Sequence, residues 1–278
     1  MDRLVSTDWL AQHRKDADLV VLDATMHLPD SGRDARAEYL AAHIRGARFL
    51  DLASFIDEGS EVPKALPTAE QFAARMGSLG IARSSRVVLY DDSAIKSAAR
   101  AWFIFDHYGM DQVAILDGGL AKWQAEGRET SEGGEACDPV DFPLPTPRRS
   151  VRSKADMLAN CATREAQVVD ARDAARFAGA PDSGSDGHIP GAANLHFPRL
   201  FREDGTWKGA PALRAEFAEV GVDLDRPVVA SCNSGMTACV LLFGMGLAGK
   251  DDAALYDGSW MDWGSDPATP KESGAHGE

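Results

Sequence analysis

The segment VVASC at residues 228–232 has the same pattern as VVLYD at residues 87–91, which stands 141 residues earlier. Two other pairs of segments follow the same order at nearly the same spacing. They are HIRGA at 43–47 with HIPGA at 188–192, and DGGLAKW at 117–123 with DGSWMDW at 257–263. Three ordered matches at nearly constant offset indicate a duplicated domain of about 140 residues.

The sequence therefore predicts two copies of one domain that are joined by a tether. We place the N-terminal copy at residues 1–127, the tether at 128–150 and the C-terminal copy at 151–278. Four prolines between residues 139 and 147 oppose helix formation in the tether and favour an extended, semi-rigid path.

Short apolar runs alternate with amphipathic stretches within each copy. Runs such as residues 19–22, 87–90 and 228–230 have the length and apolar character of buried strands. Segments such as residues 69–79 and 236–247 indicate helices. Strands that alternate with helices predict an α/β fold in each copy, with a parallel sheet flanked by helices. Ligands bind such sheets at the carboxyl ends of the strands.

Composition excludes several classes of protein. Of the 278 residues, 44% are hydrophobic and 26% are charged, and the formal net charge is −14. This negative charge opposes binding to nucleic acid or to anionic membranes. No apolar run has the length of a membrane span and the first residues lack a signal-peptide pattern, so we expect a cytoplasmic protein. The four cysteines lack metal-ligand spacing, and we expect free thiols, no metal and no cofactor.

The turn after the apolar run at 228–230 carries the candidate nucleophile, Cys232. It reads SCNSGMTA over residues 231–238 and leads into an apolar helix. Backbone N–H groups of such a turn point inward and the helix N-terminus adds positive potential, so a thiolate at Cys232 is favoured. Gly235 permits backbone angles that a side chain would resist.

Two hydroxyl side chains, Ser234 and Thr237, belong to the same turn. We expect them to donate hydrogen bonds to an oxyanion or to the thiolate, which makes them catalytic candidates together with Cys232. The alternative is that Cys232 is a small buried apolar residue and that both hydroxyls only cap the helix. In the N-terminal copy the matching turn begins with Asp91, an acidic residue in place of the nucleophile, so we expect that copy to be inactive.

The duplicated layout, the HIPGA segment at 188–192, the loop CNSGMT at 232–237 and the segment YDGSWMDW at 256–263 resemble the two-domain rhodaneses. The resemblance covers nearly the whole chain and implies tandem rhodanese domains with the catalytic cysteine in the C-terminal copy. Rhodanese-like enzymes move a sulfane sulfur from a donor to an acceptor through a cysteine persulfide. The resemblance therefore implies a small anionic sulfur donor, with cyanide, a small thiol or a thioredoxin-like protein as acceptor.

The loop after the cysteine separates two groups of this family. CRKGVT is typical of thiosulfate sulfurtransferases and CGSGVT of 3-mercaptopyruvate sulfurtransferases, and CNSGMT is closer to the second. Thiosulfate is a dianion that would benefit from cations in the loop, and this loop has none. The resemblance also implies arginines for the donor carboxylate, and Arg176 matches the first of two. The second arginine is absent from residues 180–187.

We therefore expect a 3-mercaptopyruvate sulfurtransferase, with a thiosulfate sulfurtransferase as the alternative. The residues predicted to contact substrate are Arg176, Asn233, Gly235 and Met236. Arg176 can instead be a surface residue paired with Asp173, three positions earlier. A Cys-x5-Arg phosphatase is disfavoured because the sixth residue after Cys232 is Ala238. A non-catalytic binding module is the third reading, and the retained cysteine argues against it.

Overall fold

The computed structural model of the protein describes residues 1–274, which divide into two compact units. The first unit comprises residues 1–57, 66–148 and 203–206. The second comprises residues 58–65, residues 149–202 and the described residues from Trp207 onward.

The first unit is built on a parallel sheet. Its strands are β1 (Leu4–Val5), β2 (Leu19–Asp23), β3 (His43–Ile44), β4 (Arg48–Phe49), β5 (Arg86–Tyr90), β6 (Val113–Leu116) and β7 (Thr130–Ser131). Five of them pair in the order β1-β6-β5-β2-β4, all parallel, while β3 and β7 form a separate antiparallel pair. The helices are α1 (Thr7–His13), α2 (Ala35–Ala41), α3 (Ala69–Ser78), α4 (Ala98–His107) and α5 (Gly119–Ala125).

The second unit repeats this plan. Its strands are β8 (Val151–Arg152), β9 (Gln167–Asp170), β10 (Ala192–Asn194), β11 (Val228–Ser231) and β12 (Ala254–Tyr256). They form a parallel sheet in the order β10-β9-β11-β12-β8. The helices are α6 (Lys154–Thr163), α7 (Ala174–Ala178), α8 (Ala210–Glu219), α9 (Ala238–Leu247) and α10 (Ser259–Trp263), and a 3-10 turn covers Phe197–Leu200.

The two sheets have the same strand order when each strand is matched to its copy. Thus β2 corresponds to β9, β5 to β11 and β6 to β12, and in both units the strand that precedes the candidate loop is central. The structure confirms the predicted fold of two α/β copies, each with a parallel sheet flanked by helices.

Apolar packing fixes the helices against each sheet. Helix α4 is buried along its whole length, and α9, its counterpart, is buried over Ala238–Met245. Trp123 and Trp263, the last residues of the repeated DGGLAKW and DGSWMDW segments, are almost completely buried in the two cores. Burial of such large side chains contributes to stability in each copy, which explains why these segments retain an aromatic residue at the same place.

Helix ends differ slightly from the sequence expectations. Thr68 and Gln71 form a capping box that starts α3. Helix α8 begins at Ala210, where Pro211 is compatible with a first helical turn. Helix α9 begins at Ala238, since the two residues before it belong to the turn that carries Cys232.

Candidate active site

Cys232 lies directly after β11, at the carboxyl edge of the second sheet. Ser231, the last residue of β11, is in register with Asp170 at the end of β9, and its carbonyl accepts a hydrogen bond from the Ala171 N–H (2.9 Å). The Cys232 side chain is 1% exposed. The chain then turns through residues 233–237 into α9. The predicted nucleophile therefore occupies the strand-to-helix position at which α/β sheets bind ligands.

Ser259, the first residue of α10, holds this turn in shape through hydrogen bonds. Its Oγ accepts hydrogen bonds from the N–H groups of Cys232 (3.0 Å) and Gly235 (3.2 Å), and it donates to the Tyr256 carbonyl (2.8 Å). The same oxygen lies 3.9 Å from the Cys232 Sγ. Ser259 has φ +50°, a left-handed conformation that non-glycine residues avoid. Retained backbone strain of this kind commonly marks a functional position.

Backbone contacts between α10 and the turn add to this arrangement. The Trp260 N–H donates to the Cys232 carbonyl (3.0 Å), and the Met261 N–H donates to the Asn233 carbonyl (2.8 Å). The Cys232 N–H and the carbonyls of Cys232 and Asn233 are thus engaged by one short helix. The loop is held in a fixed shape before any substrate arrives, which is what a preorganised site requires.

The other backbone N–H groups of the turn are not bound by Ser259 and are available to a ligand. Within residues 1–274, the N–H groups of Asn233, Ser234, Met236 and Thr237 have no hydrogen-bond acceptor. Gly235 adopts φ +72°, which lets successive N–H groups converge. The sequence suggests that every loop N–H faces an anion, but the structure assigns those of Cys232 and Gly235 to Ser259 and leaves these four for a ligand.

The structure brings the predicted loop residues together. Ser234 is buried, and its hydroxyl has no partner among the described residues. Thr237 precedes α9 and is half-buried, and its side chain makes no capping hydrogen bond. Met236 is also half-buried, whereas Asn233 is exposed. The two hydroxyls therefore do not serve as the helix caps that were the alternative role for them.

Arg176 lies on α7, which follows β9, and it is not part of the loop. Its Nε donates to the Asp173 carboxylate (2.6 Å), and the side chain is 42% exposed. The ion pair weighed as the alternative is thus present. Asp173 also accepts the Arg176 N–H as the N-cap of α7. One edge of the guanidinium is fixed by Asp173, and the Nη atoms have no partner in the described part of the chain.

A buried ion pair supports the end of β9. Arg172 is 1% exposed and pairs with Asp170 (2.7 Å), while its guanidinium lies 4.6 Å from the centroid of the Trp260 ring. It also donates to the Ser185 hydroxyl (2.9 Å) and to the Gly187 carbonyl (2.9 Å). These contacts give Arg172 a structural role: it holds the end of β9, the 185–187 segment and the Trp260 side chain together.

His196 follows β10 at the same edge of the sheet and is half-buried. Burial lowers the pKa of its imidazole, with the Asp173 carboxylate opposing that effect and the Arg176 guanidinium reinforcing it. Among the described residues, neither ring nitrogen has a hydrogen-bond partner, and the ring makes an edge contact with Phe197. A neutral imidazole retains one N–H donor for a ligand.

In the first unit, a carboxylate of the chain itself occupies the matching turn. The Asp91 carboxylate accepts hydrogen bonds from the N–H groups of Ser93 (3.1 Å) and Ala98 (2.6 Å), and its burial raises its pKa. Gly119 stands where the second unit has Ser259, and a Cβ there would lie 2.3 Å from the Asp91 carbonyl oxygen. The first copy therefore has neither a thiol nor the hydroxyl that organises the loop.

Sequence reasoning misses two residues that lie at this edge of the sheet. Ser259 belongs to the repeated DGSWMDW segment, and its replacement of Gly119 is the signal that marks it. His196 is adjacent to no motif, and only the pairing of β10 with β9 brings it to this edge. In the described ranges, no three His, Cys, Asp or Glu side chains are grouped to hold a metal ion, and no helix is long and apolar enough to cross a membrane.

Comparison with known proteins identifies relatives along nearly the entire chain. The profile of the rhodanese-like domain matches residues 6–126 and 153–266. The 3-mercaptopyruvate sulfurtransferase of Mus musculus is 39% identical over 270 residues, covering 94% of this chain and 91% of that protein. The thiosulfate sulfurtransferase of Bos taurus is 38% identical over 271 residues, with coverage of 94% and 91%. The crystal structure of SseA from Escherichia coli, a 3-mercaptopyruvate sulfotransferase, superposes with a TM-score of 0.86 at 37% identity, covering 94% of this chain and 99% of that one.

Proposed function

The chain belongs to the rhodanese family, and on that basis we propose that it is a 3-mercaptopyruvate sulfurtransferase that works through a Cys232 persulfide. The observation that carries the proposal is the Cys232 loop, a preorganised turn with a thiol at its head and open N–H donors around it. Relatives from mouse and Escherichia coli bear this name at 39% and 37% identity.

In the first half-reaction the Cys232 thiolate attacks the sulfur of 3-mercaptopyruvate. A bond forms between the two sulfur atoms, the carbon–sulfur bond breaks, and its electron pair passes to the carbon, which takes a proton to give pyruvate. The product on the enzyme is the Cys232 persulfide. The N–H groups of Asn233, Ser234, Met236 and Thr237 stabilise the negative charge, and the hydroxyls of Ser234 and Thr237 assist.

In the second half-reaction a nucleophile removes the outer sulfur. Cyanide leaves as thiocyanate, and a thiol leaves as a persulfide, in each case with return of the Cys232 thiolate. Small thiols or a thioredoxin-like protein are the proposed cellular acceptors. Four free cysteines suit a reducing compartment, which supports a cytoplasmic location.

The charge of the loop favours one of the two sulfur donors that the names of the relatives give. Residues 232–237 contain no cation, so a dianion such as thiosulfate gains no ion pair from the loop itself. A carboxylate that is held outside the loop suits Arg176, whose Nη atoms are available beside the partly exposed α7. Asn233, Gly235 and Met236 shape the wall nearest to the transferred sulfur. Thiosulfate remains the second candidate because the bovine relative of that name is 38% identical.

We further propose that only the C-terminal copy, residues 151–278, is catalytic. In the N-terminal copy, residues 1–127, the Asp91 carboxylate occupies its own cradle, so that cradle cannot accept a donor anion. Residues 128–150 join the copies.

Thiocyanate formation from 3-mercaptopyruvate and cyanide tests the proposal. The wild-type chain should turn over and prefer 3-mercaptopyruvate to thiosulfate in kcat/KM, and Cys232→Ser should lose all transfer. Cys161→Ser, a partly buried thiol of the same unit, is the matched control and should keep activity. Mass spectrometry after donor alone should find one added sulfur atom, and peptide mapping should locate it at Cys232. Transfer retained by Cys232→Ser refutes the mechanism, and a preference for thiosulfate refutes the donor assignment.

A further inference from the structure

The connection after β10 brings His196 to the edge of the sheet that carries Cys232. The Leu195 N–H donates to the Asp170 carbonyl (2.9 Å), and the Phe197 N–H donates to the Ala171 carbonyl (3.2 Å). His196 stands between these two anchored residues. Its backbone is therefore fixed beside the segment that leads from β9 into α7.

The residues facing His196 come from this neighbouring segment. Asp173 and Arg176 are the charged groups that act on its imidazole, and they are ion-paired with each other. The pair leaves the Arg176 Nη atoms and the ring nitrogens of His196 without partners in the described chain. The imidazole and the guanidinium thus interact electrostatically, and each has donors that no group of the described chain uses.

These donors lie within reach of the nucleophile. Strand β9 separates β10 from β11, and adjacent strands are about 4.8 Å apart, so the ends of β10 and β11 are about 10 Å apart along one edge. A three-carbon acid with its sulfur at Cys232 can extend its carboxylate across part of that gap, toward the β9 side of the loop.

The segment before Gly187 offers no cation to the same carboxylate. Residues 180–187 contain neither lysine nor arginine. The Ser185 hydroxyl is used by Arg172, and Asp186 pairs with Lys271 (3.4 Å). If Arg176 does not bind the carboxylate alone, a group outside residues 180–187 must make the second contact.

We infer that His196 and Arg176 together bind the carboxylate of the sulfur donor, with the guanidinium Nη atoms and the imidazole N–H as the donating groups. The inference rests on the proposed function, since it names the residues that recognise 3-mercaptopyruvate. His196 is a substrate-binding residue and takes no part in bond making, so its loss raises KM and leaves kcat nearly unchanged.

The test measures steady-state kinetics with 3-mercaptopyruvate and inhibition by pyruvate, which carries the same carboxylate without the transferable sulfur. His196→Ala should raise KM and the pyruvate inhibition constant by about tenfold, the effect of losing one hydrogen bond to a charged group. His196→Arg should hold both constants at or below their wild-type values. Arg199→Ala removes a cation from the same 3-10 turn, where it pairs with Glu216, and should change neither constant.

His196→Leu, which also lacks a hydrogen-bond donor, provides a second replacement in case His196→Ala unfolds, and thermal melting identifies that case. Unchanged KM and pyruvate inhibition in a folded His196→Ala or His196→Leu enzyme overturns the inference while the proposed function stands. A fall in kcat without a rise in KM also overturns it. A wild-type chain that transfers no sulfur from 3-mercaptopyruvate defeats the proposed function itself, and that result is visible before any variant is made.

Discussion

Replacing Ser259 with alanine should loosen the loop that carries Cys232. The Ser259 Oγ is the acceptor for two buried N–H groups, those of Cys232 and Gly235, and it is completely buried. Alanine removes the acceptor, and because the position is completely buried, no other side chain can supply a new one. A buried donor without a partner costs roughly 1–3 kcal/mol, so the free energy of unfolding of the second unit should fall by about 3 kcal/mol. In a unit of this size the midpoint Tm should fall by roughly 10 °C.

The same substitution should slow catalysis more than it weakens donor binding. The two released N–H groups compete with their neighbours for the transferred sulfur, and the turn no longer holds Cys232 in one position. Misplacement of a nucleophile by about 1 Å costs up to a hundredfold in rate, and we expect kcat to fall by about tenfold to a hundredfold. KM for the donor should change little, because its carboxylate is recognised outside the loop.

Two controls separate the hydroxyl from other effects. Ser265→Ala makes the same change at an exposed position two residues after α10 and should leave Tm and kcat unaltered. Ser259→Gly also lacks the hydroxyl but relieves the left-handed backbone, so it should be about 1 kcal/mol more stable than Ser259→Ala. Its kcat should be as low as that of the alanine variant. Wild-type melting and turnover in Ser259→Ala would refute the idea that this hydroxyl organises the loop.

Two further predictions concern the first copy and pH. Asp91→Cys in a Cys232→Ser background should restore at most about a tenth of wild-type thiocyanate formation, because Gly119 offers no hydroxyl in place of Ser259, and turnover near the wild-type level contradicts this. Burial lowers the pKa of His188, so the unfolded chain binds a proton at higher pH than the folded chain. The free energy of unfolding should therefore fall as the pH drops from about 7 to 5. His188→Gln should flatten that pH dependence when the free energy is measured by denaturant melts. Equal slopes in the wild-type and variant proteins contradict this prediction.

The fold could be predicted because its signals are local and occur twice. The apolar runs that became β5 and β11 are long enough to stand out, and the repeat fixes the number of copies. The strand order could not be predicted in the same way. Strands β4 and β10 have two and three residues, which is too few to show a period, and their places depend on pairing with distant strands.

The residues of the site also differ in whether a local sequence pattern identifies them. The Cys232 loop could be identified because its residues are consecutive, and a thiol between a strand and a helix carries a physical meaning of its own. Ser259 stands 27 residues further along the chain and acts through a hydrogen bond that no local pattern encodes. Arg176 could be named as a candidate from the sequence, but the part of it left for a ligand could not, because its Nε pairs with Asp173 and only its Nη edge has no partner in the described chain.

The two copies show how the residue at the head of the turn determines whether the turn is open to a ligand. A carboxylate at Asp91 satisfies backbone donors from within the chain, and the first cradle is closed to other anions. A thiol accepts hydrogen bonds weakly, so Cys232 cannot fill its cradle in that manner. The loop donors not taken by Ser259 then require negative charge from elsewhere, either the thiolate and its persulfide or the donor that supplies the sulfur. The absence of an internal carboxylate thus leaves the second cradle open, and in the proposed mechanism the thiol beside it reacts with the donor that the cradle admits.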